Sequence, residues 1–152
     1  MRLFDLISAS VISLYLIPCV LYLITNDMMH LVALFGTIGT TILSEVLKLG
    51  FIKKLSPRPD GAKNCNLMCN DGIQSGQPGM PSSHSAQVSF FTGFYLQYST
   101  NIYVKIALAI YALFVMVSRY IKKCHTINQI IVGSSLGFGL SYLLMAQIVR
   151  HL

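Results

Sequence analysis

The sequence predicts an all-α, polytopic membrane helical bundle with about five transmembrane helices, and three observations carry that expectation. Of the 152 residues, 54% are hydrophobic and only 11% charged, whereas an ordinary soluble domain carries about 25% charged residues. The mean hydropathy is +0.64. The apolar residues gather in runs near the ~20 residues that a helix needs to cross the hydrocarbon core. Five such runs and one long polar loop fill the chain, so residues 1–152 read as a single integral membrane domain.

The first span covers residues 6–26, a stretch without charge in which Pro18 is a tolerable kink. Its apolar part is longer than that of a secretory signal and is followed by no small-residue cleavage site, so it is expected to be retained. The second span, residues 28–51, carries Gly36 and Gly39, which suit close helix packing, and then Glu45 and Lys48 toward its end. Residues 52–84 form the long loop, with Pro57, Pro59, Pro78 and Pro81; loops of this length are often functional. Ser99, Thr100 and Asn101 divide the next apolar stretch into spans at 85–99 and 102–118. At about 25 Å each, these shorter spans fit a thin bilayer such as that of the endoplasmic reticulum. The fifth span, residues 127–149, contains Gly133 and Gly137 as a G-x3-G pair able to seat a neighbouring helix.

Each pair of spans returns the chain to the side on which it began, so the long loop and the connection 119–125 share one membrane face. The formal charge is +6, but no basic stripe with interleaved aromatics lies in a polar domain, which argues against a nucleic-acid partner. Phosphate or lipid headgroups are the better-matched partners. Among the cysteines, Cys19 sits in an apolar run and Cys124 beside the polar clusters, so only Cys65 and Cys69 look pairable. Their C-x3-C spacing lacks a second ligand pair for zinc. Spare thiols and a local disulfide both remain open.

Three clusters converge on the polar face: Ser56-Pro57-Arg58-Pro59, then Met80-Pro81-Ser82-Ser83-His84-Ser85, then Ser118-Arg119 followed by His125. Phosphoryl transfer needs such a set, because its catalysis is mostly positioning and electrostatics over three equatorial oxygens. Arginine forks grip those oxygens in pairs. Ser82, Ser83 and His84 open a helix whose first N–H groups add to an anion cradle. One imidazole can attack phosphorus while the other protonates the departing oxygen, a scheme that calls for no metal or cofactor. The competing structural reading of an interfacial histidine suits His30 and His151 better than His84 or His125, which have arginines and serines around them.

Together these residues resemble the type 2 phosphatidic acid phosphatase family, with its pattern K-x6-R-P, P-S-G-H and S-R-x5-H-x3-D, over Lys48 to Gln129. The resemblance implies a lipid phosphate phosphohydrolase in which His125 becomes phosphohistidine and His84 is the acid for the leaving group. Arg58, Arg119, Ser82 and Ser83 would then grip the phosphate. Three positions depart from the pattern. Phe51 stands where the family has lysine, with Lys48 and Lys54 as replacements three residues to either side and an insertion of one turn after Lys48 as the preferred account. Ser83 replaces glycine, and Gln129 replaces the aspartate that orients the nucleophile.

Serine and glutamine at those places are similar to the dolichyl diphosphatase branch of the family, which implies a polyprenyl diphosphate substrate, an endoplasmic reticulum membrane and a luminal site. A phosphatidate or other glycerolipid phosphatase would share every motif. A catalytically inactive scaffold or lipid-phosphate binder would explain Phe51 and Gln129. Thr126 and Gln129 also read as a capping box opening the fifth helix. The excess of basic residues on the motif face argues for the cytoplasmic side by the positive-inside rule, against the luminal side that the resemblance implies.

Overall fold

The computed structural model describes residues 3–52 and 55–151. Five helices follow in order: α1 (Leu3–Thr25), α2 (Met28–Phe51), α3 (Ser83–Tyr98), α4 (Ile102–Ile121) and α5 (Ile127–His151). Among the described residues there is no β-strand. Four of the helices, all but α3, are long and apolar enough to cross a membrane. The exception has 16 residues, about 24 Å of helix.

Local chemistry sets the boundaries. Asn26 takes the left-handed conformation that ends α1, and the Asp27 side chain accepts from Met29 N–H at 2.9 Å to open α2. Asn101 opens α4 in the same way, accepting from Tyr103 N–H at 2.9 Å. Several ends differ from the sequence expectation because charged residues are absorbed within the protein. The helix α1 starts before residue 6, since Asp5 pairs with Lys122 at 2.9 Å. The helix α4 runs past residue 118, since the Arg119 side chain is wholly buried and hydrogen-bonded.

The order of burial is inverted relative to a water-soluble bundle. Leu16, Leu23, Phe35, Ile42, Leu113 and Leu143 are exposed on the outer faces, a belt far larger than soluble monomers tolerate. Inside, α3 is encased by the other four helices, and every residue from Ser83 to Tyr95 is buried. It contributes Val88, Phe90, Phe91, Phe94 and Tyr95 to a core with Val11 and Leu14 of α1 and Val115 of α4. Polar groups in the apolar helices are satisfied locally: Thr37, Thr40 and Thr41 donate to carbonyls one turn earlier at 2.8–2.9 Å. Together these features describe a multi-pass integral membrane protein.

Helix α5 lies closest to α3, and the G-x3-G pair permits the approach. A Cβ added at Gly133 would stand 2.5 Å from the Ser82 carbonyl oxygen and 3.1 Å from its nitrogen. Main chain cannot swing aside, so Gly133→Ala is expected to cost about 1–3 kcal/mol by overpacking. Thermal unfolding in detergent checks this, with Gly139→Ala, which meets nothing within 4 Å, as the control that does not lower the midpoint.

The loop between α2 and α3 folds back on itself. Pro57 pairs with Pro78 and Lys63 with Ile73, and main-chain bonds join Arg58 N–H to Gln77 O at 2.7 Å and Gln74 N–H to Ala62 O at 2.8 Å. Ser82 N–H then reaches Gln129 O at 3.1 Å, tying the loop's end to the first turn of α5.

The cysteines correct the sequence reading. Cys65 pairs with Cys124 and not with Cys69, which is free, as is Cys19. Pairing follows spatial approach, and here the Cα atoms of residues 59 apart in sequence lie 5.5 Å from each other.

Candidate active site

A cavity of about 410 Å³ opens where the loop meets the helix ends, and Lys48, Arg58, Ser83, His84 and His125 all line it. Both imidazoles thus face one space. Ser82, Arg119 and Gln129 are fully buried around it without lining it. Lys54 lies outside the described residues.

His125 stands at the end of the α4–α5 connection, just before the helix start. Three acceptors surround the Gln129 Nε2 group: Pro57 O at 2.8 Å, Ser56 Oγ at 2.9 Å and Ser56 O at 3.2 Å. Its Oε1 accepts from Thr126 N–H at 3.2 Å. These contacts fix which end of the amide is oxygen. That oxygen lies 3.2 Å from His125 Nδ1, so Nδ1 carries the proton and Nε2 keeps its lone pair. Gln129 N–H also reaches Thr126 Oγ1 at 3.4 Å, so the capping box and the histidine contact coexist in one side chain. Gly79 makes room for it, because a Cβ there would meet Gln129 Nε2 at 2.6 Å.

Arg58 Nη1 lies 3.2 Å from Cys124 O and 3.4 Å from His125 Nε2. Burial lowers its pKa below the usual arginine range, opposed by the Asp71 and Glu45 carboxylates. His125 is held well below its ordinary 6.5, first by burial and then by the charges of Arg119, Arg58 and Lys48. It is therefore neutral near pH 7, the form in which an imidazole is a nucleophile.

Arg119 donates to Ser8 Oγ of α1 and to Cys65 O of the loop. Its Nε, Arg58 Nε and His84 Nε2 are buried without a hydrogen-bond partner, and the two unused arginine donors suit an anionic ligand. Ser82 does not cap α3 with its side chain, so the N–H groups of that first turn add to the same positive field. No group of three or more His, Cys, Asp and Glu side chains able to hold a metal ion occurs among the described residues.

Of the two lysines weighed for the family position, Lys48 reaches the cavity. Its Nζ donates to Ser83 Oγ and to Glu45 Oε1, both at 2.7 Å. Residues Leu47–Phe51 form a π-turn, and Phe51 is exposed. Glu45 was given no role from sequence, yet it also accepts from Ser83 Oγ at 2.5 Å. Two signals could have found it: an acid in a membrane helix is costly unless it has a partner, and it stands one turn before Lys48. Ser8 and Asp5 gave no signal, because their partners lie more than a hundred residues away in the chain.

The model of the PAP2 superfamily matches residues 29–152. The chain belongs to the PAP2 superfamily. Among curated proteins, the dolichyldiphosphatase of Saccharomyces cerevisiae is 33% identical over 147 residues, covering 86% of this chain. The chain spans 57% of the length of that relative. No solved structure matches. As a PAP2 protein it carries the arginine, histidine and serine clusters on one side of its bundle, with glutamine beside the second histidine.

Proposed function

We propose that this PAP2 protein hydrolyses polyprenyl diphosphate of the dolichyl type, in an endoplasmic reticulum membrane, through a phosphohistidine at His125. The main support is the state of His125: neutral, its proton held on Nδ1 by Gln129, and its Nε2 lone pair beside the Arg58 guanidinium. Likeness to a dolichyldiphosphatase supports the substrate class.

In this scheme Nε2 attacks the terminal phosphorus, and the bond from phosphorus to the bridging oxygen breaks. Polyprenyl monophosphate leaves with a proton from His84. Water, deprotonated by His84, then attacks the phosphohistidine, releases inorganic phosphate and restores the Nε2 lone pair. Arg58, Lys48 and Ser83, which line the cavity, meet the charge that builds on the phosphoryl oxygens, and Arg119, buried behind them, adds its positive field. No step draws on a metal ion.

A substrate panel tests the assignment. Purified protein without added magnesium should release phosphate faster from polyprenyl diphosphate than from phosphatidate, and the reverse order would make it a glycerolipid phosphatase. Phosphate release from neither, with tight binding retained, would make it a lipid-phosphate binder. The pH profile is a further check. A lowered His125 pKa keeps the nucleophile neutral as pH falls through 6.5, and activity is lost only when pH drops through the depressed value. The acid limb of kcat/KM assigned to His125 should therefore lie below 6.5, once the ionisation of the substrate is allowed for.

A further inference from the structure

The Cys65–Cys124 disulfide joins the two loops that bear the candidate site, and each half-cystine carries a carbonyl that holds an arginine. Cys124 O accepts from Arg58 Nη1 at 3.2 Å, and Cys65 O accepts from Arg119 Nη2. Both cysteines are buried, forming a small cluster with Ala62, and Cys124 directly precedes His125. Cys65 N–H is in turn held by Asp71 Oδ1 at 2.7 Å, and Cys124 N–H by Arg119 O at 3.0 Å. At the periphery Lys122 Nζ also reaches from the second loop to the first, donating to Asn64 O at 3.1 Å and to Cys69 Sγ at 3.0 Å. The disulfide is the covalent tie among these bonds, and it sits between the two carbonyls that hold the guanidinium groups.

We propose that Cys65 and Cys124 are positioning residues of the phosphate site: their disulfide fixes the carbonyls that hold Arg58 and Arg119, so full activity requires the bond and a site facing an oxidising compartment. The proposal rests on the phosphohydrolase reading above. It also bears on membrane orientation, since a disulfide is maintained in a lumen and not in the cytosol. It weighs against the side favoured by counting basic residues, several of which are here engaged within the site.

The test compares Cys65→Ala, Cys124→Ala and the double variant with the oxidised protein, all purified in detergent. Folding is read by thermal unfolding, and the site by kcat/KM and by competitive inhibition with inorganic phosphate. All three variants should lose the same factor in kcat/KM, about 10- to 100-fold, the scale of a misplacement near 1 Å, and the inhibition constant for phosphate should rise. Arg58→Ala should cost less in the Cys124→Ala background than in the parent, because the two changes act on one contact. Folded variants with parental kcat/KM and phosphate inhibition would overturn the proposal. Should the variants not fold, the parent is reduced below its unfolding temperature with excess dithiothreitol, which takes up two electrons' worth of oxidation by cyclising to its own disulfide as Cys65 and Cys124 become thiols. Turnover should fall and return on exchange with glutathione disulfide; unchanged turnover with both thiols alkylated would again overturn it. If the oxidised parent turns over no lipid phosphate at all, the functional reading fails, and phosphate affinity by ³¹P NMR still tests the positioning role.

Discussion

His125→Ala is expected to lower kcat/KM on the order of 10⁴-fold, the scale on which removing one member of a nucleophilic unit acts. The loss follows from position. The ring is buried between Gln129 on its Nδ1 side and Arg58 on its Nε2 side, and no other described nucleophile in the cavity has its lone pair so directed beside a guanidinium. Alanine would also remove the contact that Gln129 makes with the ring, but Gln129 keeps its bonds to Ser56, Pro57 and Thr126. The loop and helix start should therefore stay in place, and thermal unfolding should shift far less than activity. Rapid acid-free quenching of the parent with labelled substrate should trap an acid-labile phosphohistidine that the variant lacks. Substantial turnover by His125→Ala would remove the nucleophile role from this residue.

Arg58→Ala should cost about 10²–10³-fold in kcat, the scale for deleting one donor that meets transition-state charge. Arg58 lines the cavity, bridges Cys124 O and His125 Nε2, and holds a buried Nε with no partner. Arg58→Lys restores the charge but not the planar fork, so only part of the loss should return. A variant that raises KM alone would mean that the guanidinium binds ground state and transition state equally. Steady-state kinetics on polyprenyl diphosphate separates these outcomes.

Much of this was legible in the chain. Apolar runs of bilayer length gave five helices because lipid leaves the backbone few alternatives, and counting crossings brought the long loop and the 119–125 connection to one side. Arg58, His84 and His125 could be grouped because two turns of the chain through the bilayer leave little choice of where they meet. The Cys65–Cys124 pair was missed because C-x3-C spacing suggested a local partner, whereas the true one comes from another loop. Glu45 was missed because an i, i+3 acid and base look like an ordinary helix pair until Ser83 is seen to join them. The amide of Gln129 was readable as a cap or as a histidine partner; the surrounding acceptors of the loop, invisible in sequence, let it be both.

Arg119 leans on Ser8, and Lys122 on Asp5, both from the first helix, while the superfamily pattern begins only at residue 29. A shortened protein cut to that pattern would therefore preserve every signature residue and still be missing the outer wall that braces its guanidinium. Minimal versions built for expression or engineering should keep the leading segment as working machinery rather than discard it as a membrane anchor.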